Sequence, residues 1–388
     1  MWWLCVVTLV AMGTGSRSQA LKVKATFRGM VGSADRMEAM DVDMETGTII
    51  VAGSGGVSVL DPDMNLVTMV TSSDLGNMSD ISGVLVNSKL NTVTLCSRKQ
   101  EKCHVRDRSN LKTLISTGSD LIQKENNNRN LILLRGSNPK QLFIVSDFIN
   151  DVTIPSNVPI LSSRFSDNLH LVEKSSAMFL QNPKRLPKSY FVKYLSAFID
   201  QSYVYFISQQ SDVTGSNKVT KISRICESDD KFRSYVEIQL KCGFSSQDQE
   251  HSSAAQSASF EAKSGRLYVA FSSGTQQSAR QTAICGYDLR DVNKMMDEAV
   301  YDCAVGRGML GPAHFHPPAP CPYLKVTTGI TDPVLIFWVG TVQINFSLCP
   351  YASMGSATSH FLNASVFLNF KFTRALSGLK IVSSLNFT

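Results

Sequence analysis

Between Val219 and Cys242 two apolar runs each end at a cysteine, and this stretch limits the fold more than any other. Val219, Ile222 and Ile225 lead to Cys226; Tyr235, Val236, Ile238 and Leu240 lead to Cys242. The charged stretch Glu227 to Arg233 separates them. Apolar and polar residues alternating on both sides of a polar loop predict two antiparallel strands, because successive strand side chains point to opposite faces. The cysteines stand where crosslinks can tie those strands to a β-rich body. Nothing in the stretch looks catalytic; it is scaffold.

Similar runs recur along the chain. Leu21 to Phe27 alternates apolar and polar residues, and Asp41 to Gly47 turns into Thr48 to Ala52. A glycine turn at Gly53 to Gly56 then leads to Val57 to Leu60. Further strands are predicted at Asn91 to Cys96, Gln141 to Val145, Tyr203 to Ile207 and Arg266 to Phe271. Their spacing grows from about 45 to about 65 residues, which fits four-stranded propeller blades lengthened by loop insertions. A large β-sandwich is the alternative. A chain of 388 residues, 43% hydrophobic and 18% charged, can bury such a core as one unit or as two or three average domains.

One helix is predicted over Asp291 to Val300, where Val292, Met295, Met296 and Ala299 share a face and Asp288 or Asp291 caps the start. Met295 and Met296 are expected to fill the core. Beyond Cys303 the character changes. Gly306 to Pro320 reads as a glycine- and proline-rich loop. Pro333 to Phe370 lacks Asp, Glu, Lys and Arg, but Gln343, Asn345 and Ser347 interrupt its apolar run early, so a membrane helix is not expected. Residues 322–388 form a divergent tail, read as a degenerate blade or an end unlike the rest of the fold.

The first residues carry a targeting pattern. Met1 to Gly13 is apolar and uncharged, and small residues at Ser18 and Ala20 complete the cleavage pattern of a secretory signal peptide over 1–20, without the usual basic start. A short buried helix is the weaker reading. Of nine cysteines, removal of this segment takes Cys5 and leaves Cys96, Cys103, Cys226, Cys242, Cys285, Cys303, Cys321 and Cys349. An even number in an exported chain argues for disulfides, and no CxxC spacing points to zinc. Sequons at Asn77, Asn345, Asn363 and Asn386 fit the secretory pathway and an extracellular or cell-surface destination.

Catalytic patterns are missing from the sequence. His314 and His316 sit in a proline-flanked loop without a carboxylate or third histidine nearby, so no metal ligand is assigned. Gly53 to Gly56 opens a strand rather than a helix and cannot cradle a phosphate as a dinucleotide fingerprint does. No Gly-x-Ser-x-Gly elbow occurs. Asp41, Asp43, Asp61 and Asp63 fall at strand ends, where carboxylates commonly shape turns. No catalytic, cofactor or metal residue is therefore assigned. A net charge of +6 is too modest to call for nucleic acid. Arg98, Lys99, Lys102, Arg106, Arg108 and Lys112 cluster around Cys96 and Cys103. They read first as a solvated edge hairpin whose charge discourages aggregation, and second as a surface steering an acidic protein or sulfated glycan.

The wording of the central stretch is specific. Ser189-Tyr-Phe-Val-Lys-Tyr-Leu-Ser-Ala-Phe198, Tyr203-Val-Tyr-Phe-Ile207, Thr220-Lys-Ile-Ser-Arg-Ile-Cys226 and Ser234-Tyr-Val-Glu-Ile-Gln-Leu-Lys-Cys242 closely resemble the sema domain of plexins. So do Ala254-Ala-Gln-Ser-Ala-Ser-Phe260, Leu267-Tyr-Val-Ala-Phe271, Ala283-Ile-Cys-Gly-Tyr-Asp-Leu289 and Leu95-Cys-Ser-Arg-Lys-Gln-Glu-Lys-Cys103. The resemblance covers 21–321 and is strongest from Ser189 to Cys303. Semaphorins place a tryptophan and a Phe-x-Lys-Ala-Arg-Leu run where this chain has Phe232-Arg-Ser-Tyr-Val-Glu-Ile-Gln-Leu, which is receptor-like. The hepatocyte growth factor receptor group shares the Ser-Tyr-x-Glu-x-x-Leu-x-Cys wording and is the alternative within sema proteins.

The resemblance implies an all-β, sema-type seven-bladed β-propeller, incomplete here with about five recognisable blades. It implies a non-enzymatic receptor ectodomain that takes a semaphorin-type protein ligand, with homo-oligomers or a co-receptor as further partners. Its ligand-contact residues are not identified. It implies disulfides Cys96–Cys103, Cys242–Cys285 and Cys303–Cys321, and a later partner for Cys226, for which Cys349 is left. Plexins continue into cysteine-rich modules, a membrane span and a cytoplasmic GTPase-activating region, so a truncated sequence, a fragment or a soluble ligand-binding decoy is expected. Unpaired blade edges would then be an aggregation hazard. The rival from another class is a secreted propeller hydrolase, which needs carboxylates clustered around a central channel.

Overall fold

The computed structural model describes residues 37–97, 99–119, 131–149, 159–174, 176–179, 190–211, 218–232, 234–242, 254–272, 282–304, 307, 309–310 and 319–320. They fall into two compact units, one within Met1–Glu125 and Ser166–Leu169, the other within Asn126–Phe165 and His170–Thr388. The expected signal peptide, the Leu21 to Phe27 strand and the 322–388 tail lie outside the described residues.

In the first unit, β1 (Met37–Val42), β2 (Ile49–Gly53), β3 (Gly56–Leu60) and β4 (Leu66–Thr71) form a four-stranded antiparallel meander. Carboxylates shape its turns as the sequence predicts. Asp43 Oδ1 accepts from the Glu45 amide at 3.0 Å, and Asp61 Oδ1 accepts from the amides of Asp63 at 2.9 Å and Asn65 at 2.8 Å. The Gly53 to Gly56 turn joins β2 to β3. Gly56 has φ +143°, and a Cβ built there would lie 2.2 Å from the Val70 carbonyl oxygen, so the approach of β4 requires glycine. A second meander follows: β5 (Ile81–Asn87), β6 (Thr92–Ser97), β7 (Lys102–Asp107) and β8 (Leu114–Ser119). Ile50, Val57 and Val70 of the first sheet share one core with Ile81, Val86, Val93 and Leu95 of the second.

The second unit begins with β9 (Leu131–Arg135), β10 (Gln141–Ser146), β11 (Phe148–Ile149), β12 (Leu161–Phe165) and β13 (Ala177–Met178). Of these, β13, β12, β10 and β9 make one sheet in that order. A five-stranded sheet runs β11, then β14 (Phe191–Asp200), β15 (Tyr203–Ser211), β16 (Lys218–Cys226) and β17 (Val236–Leu240). A three-stranded sheet closes the series with β18 (Ala254–Glu261), β19 (Arg266–Ser272) and β20 (Thr282–Asp288), followed by α1 (Leu289–Ala304). The predicted hairpin at Val219 to Cys242 is β16–β17, paired antiparallel with Ile222 opposite Ile238 and Arg224 opposite Val236.

This five-stranded sheet is buried on both faces, which explains its apolar density. Tyr203, Tyr205, Ile207, Ile222 and Leu240 face one core together with Leu267, Val269, Val292 and Met296. Val204, Phe206 and Ile225 face another with Phe143, Val145 and Tyr194. The Phe198 ring stacks on both Tyr205, 4.9 Å between centroids, and Phe260, 4.1 Å, tying β14 and β15 to β18.

The helix starts two residues before the predicted span and is capped by Asp288, whose Oδ1 accepts from the Arg290 amide at 2.9 Å. Leu289, Val292 and Met296 are buried, but Met295 is 52% exposed and does not fill the core. At 100° per residue the three buried positions span roughly 60°, and Met295 lies about as far again to one side.

Candidate interaction surface

Among the described residues, two of the four disulfides implied by the resemblance are seen with both partners. Cys96 and Cys103 face each other across the β6–β7 ladder with Cα atoms 4.1 Å apart. Cys242, just past β17, is bonded to Cys285 of β20, so this bridge joins two neighbouring sheets. Cys303 is disulfide-bonded, and Cys321, the partner implied for it, lies outside the described residues. Cys226 is buried at the end of β16, and Cys349 is likewise outside. Asn77 is exposed. Asn345, Asn363 and Asn386, and the His314 and His316 pair, fall outside the described residues.

The basic cluster is different from what its sequence suggests. The β6–β7 hairpin is central in its sheet, not an edge, and its charges are largely used within the protein. Arg106 is 2% exposed: its guanidinium donates to the carbonyls of Leu75 at 2.7 Å and Leu111 at 2.9 Å, and to His104 Nδ1 at 3.2 Å. Lys99 pairs with Asp80 and Lys112 with Asp74, each at 3.0 Å. Arg108 pairs with the buried Asp43, which also accepts from Ser88 and Thr46. Burial opposes the charge of Asp43, but the hydrogen bonds from Ser88, Thr46 and the Glu45 amide, with Arg108 beside it, outweigh burial and bring its pKa down to about 2. Periodicity could not reveal these pairings, because the partners come from other strands and turns.

The second unit holds two buried polar groupings that sequence reasoning missed. On one face of β16, Arg224 donates to Asn293 Oδ1 at 2.8 Å and to Asp297 at 2.5 Å, and its guanidinium lies 4.5 Å from the Tyr203 ring centroid. Tyr205 donates its hydroxyl to the same Asn293 oxygen at 3.0 Å. Burial works against the Arg224 charge, yet Asp297 and the tyrosines more than compensate and raise its pKa. On the other side, Glu237 pairs with Lys221 and accepts from the Tyr235 hydroxyl at 3.1 Å and Gln210 at 3.3 Å. Burial, reinforced by Glu237, raises the pKa values of Tyr194 and Tyr235 and keeps both phenols protonated. These groups fasten elements together.

The second unit also carries a cleft of about 530 Å³ where the β9–β10 turn meets the loop after β16, lined by Ser137, Lys140, Gln141, Phe165, Val172 and Asp230 among others. Gln141 Nε2 donates to Ser163 Oγ at 2.8 Å and to the Glu227 carbonyl at 3.2 Å, and Glu227 accepts from the Ser137 amide, so one wall is fixed. Phe165 is 37% exposed. Burial, then Asp229 and Glu173, push the Asp230 carboxyl above its ordinary range. Such a cleft can receive a side chain or loop tip of a protein, with an aromatic wall and a carboxylate rim. Among the described residues no group of three or more His, Cys, Asp or Glu side chains could hold a metal ion. Nor does any described helix have the length and apolarity to cross a membrane.

Plexin A3 of Danio rerio is 31% identical to this chain over 140 residues, which make up 31% of this chain and 7% of that protein. The chain is plexin-like. Plexin-A3 of Homo sapiens is 25% identical over 214 residues, 46% of this chain and 11% of the relative. The matched part therefore spans a small fraction of these relatives' length. Among solved structures, the full extracellular region of Plexin A4, domains 1 to 8, superposes with a TM-score of 0.60 at 18% identity, covering 76% of this chain and 38% of that one. This likeness shows the fold: an all-β architecture of sema-type propeller blades, five antiparallel sheets of which are formed among the described residues by β1 to β20. No family model matches the chain.

Proposed function

We propose that this plexin-like chain is a receptor ectodomain that binds semaphorin-type protein ligands outside the cell or at its surface, without catalysing a reaction. The observation that carries this reading is the sequence identity to Plexin A3 within a fold shared with the Plexin A4 extracellular region. Three features support it. The disulfides fit an oxidising compartment. The buried charges are consumed in packing, as in a scaffold that presents a surface. The open cleft beside Phe165 suits contact with a folded partner, whose affinity would come from a few central side chains ringed by polar contacts.

The test is saturable binding. The full chain, secreted and purified, is passed over a panel of immobilised semaphorin ectodomains, with an unrelated glycoprotein as the blank. Saturable, competable binding to at least one semaphorin is expected. A well-folded chain that binds none of them overturns the proposal.

A further inference from the structure

We propose that Asn77 carries an N-linked oligosaccharide and that this sugar shields the tip of the β6–β7 hairpin. The inference rests on passage through the secretory pathway, as the proposed function requires. Asn77-Met78-Ser79 is an acceptor sequon, and the structure holds it in a form that can keep a glycan after folding. Leu75 and Met78 on either side are fully buried and anchor the turn. Gln100 Nε2 donates to the Asn77 carbonyl at 2.7 Å and Ser97 Oγ to the Ser79 carbonyl at 2.6 Å, so the backbone on both sides of Met78 is clamped. Asn77 itself is exposed with φ +61°, a left-handed conformation that asparagine tolerates. Its side-chain amide has no hydrogen-bond partner among the described residues. A Cβ built on the adjacent Gly76 would meet no atom within 4 Å, so the space beside the acceptor is open.

The modification balances with a lipid-diphosphate-linked oligosaccharide as donor. The Asn77 Nδ2 forms a bond to the anomeric carbon, the bond from that carbon to the diphosphate oxygen breaks, the amide gives up one proton, and the lipid diphosphate leaves. The product stands beside Gln100, whose chain neighbour Lys99 pairs with Asp80 and keeps its side chain 68% exposed. The sugar thus covers the tip of the hairpin, whose basic residues the sequence reads first as solvated charge and second as a docking surface.

The whole chain is expressed in cells with an N-glycosylation pathway, collected from medium and lysate, and treated with an amidase that releases N-glycans in heavy-oxygen water. Peptide mass spectrometry is expected to find Asn77 converted to heavy-labelled aspartate. Asn77→Asp, which also tolerates a left-handed turn, and Ser79→Ala should lose that glycan, while Ser79→Thr keeps it. Amine-reactive labelling of Lys99 should rise at least ~2-fold in Ser79→Ala if a bulky surface sugar is lost. Secreted protein with unmodified Asn77 overturns the glycan and leaves the receptor reading standing. Chain confined to the cytosol without any glycan overturns both. Unchanged Lys99 labelling on a glycosylated chain overturns the shielding.

Discussion

Arg224 and Asp297 meet at 2.5 Å although 73 residues separate them in the chain, and Arg224 is almost completely buried. The pair fastens α1 to the five-stranded sheet, with Asn293 shared between Arg224 and Tyr205. Removing Asp297 alone leaves a buried guanidinium with one neutral partner. Asp297→Ala should therefore cost about 3 kcal/mol. Replacing both ends by apolar residues, as in Arg224→Met with Asp297→Leu, should cost less than that single change. Chemical denaturation of the three proteins checks the order, and a double variant weaker than Asp297→Ala would refute it.

The two disulfides should contribute unequally. Cys242–Cys285 closes a loop 43 residues long, Cys96–Cys103 one of 7. Loop-closure entropy gives roughly 4 kcal/mol for the first and roughly 2 kcal/mol for the second. Replacing Cys242 and Cys285 by serine should lower the melting temperature more than replacing Cys96 and Cys103. Equal losses would mean that the short bridge does more than shorten the unfolded chain.

How much of this was legible depended on how local each signal is. The β16–β17 hairpin, the glycine turn before Val57, the Asp43 and Asp61 turns and the Asp288-capped helix all rest on neighbours within a few residues, and all are found. Arg106 reads as a surface charge and Arg224 draws no assignment, because their partners are distant: Leu75 is 31 residues from Arg106, and Asn293 is 69 from Arg224. Ser208, Gln209, Gln210 and Ser211 are likewise buried at the polar end of β15, where alternation predicts nothing. One signal was available. Arg224 lies two residues from Ile222 on a strand, hence on the same face, and a charge on an apolar face demands a partner. The candidate cleft left no trace in the sequence, since its walls come from turns far apart in the chain.

Asp43 sets an acid limit for the first unit. Its pKa is brought from 3.8 down to about 2, so the folded state holds the proton less tightly than the unfolded one. Its contribution, on the order of 2 kcal/mol, is complete above the unfolded pKa and fades as pH falls toward the folded value. Asp43→Asn removes the charge facing Arg108. The variant should be less stable at neutral pH and show a smaller further loss between about pH 4 and pH 2. Parallel acid-unfolding curves for the two proteins would reveal a missing difference.

His104 controls a milder window. The imidazole is 9% exposed on β7, and the Arg106 guanidinium donates to its Nδ1 at 3.2 Å, so Nδ1 must accept and the proton sits on Nε2. Burial first, then Arg106 and Lys102, lower its pKa below the ordinary 6.5. The unfolded chain therefore binds this proton more readily than the folded one. The stability His104 contributes is complete above pH 6.5 and declines as pH falls below it, by about 1.4 kcal/mol for each pKa unit that separates the two states. His104→Gln keeps an oxygen that can accept from Arg106 and removes the titration. The wild-type melting temperature should drop between about pH 7 and pH 5, and the drop should be smaller in the variant. Identical slopes would show that His104 is not the group responsible.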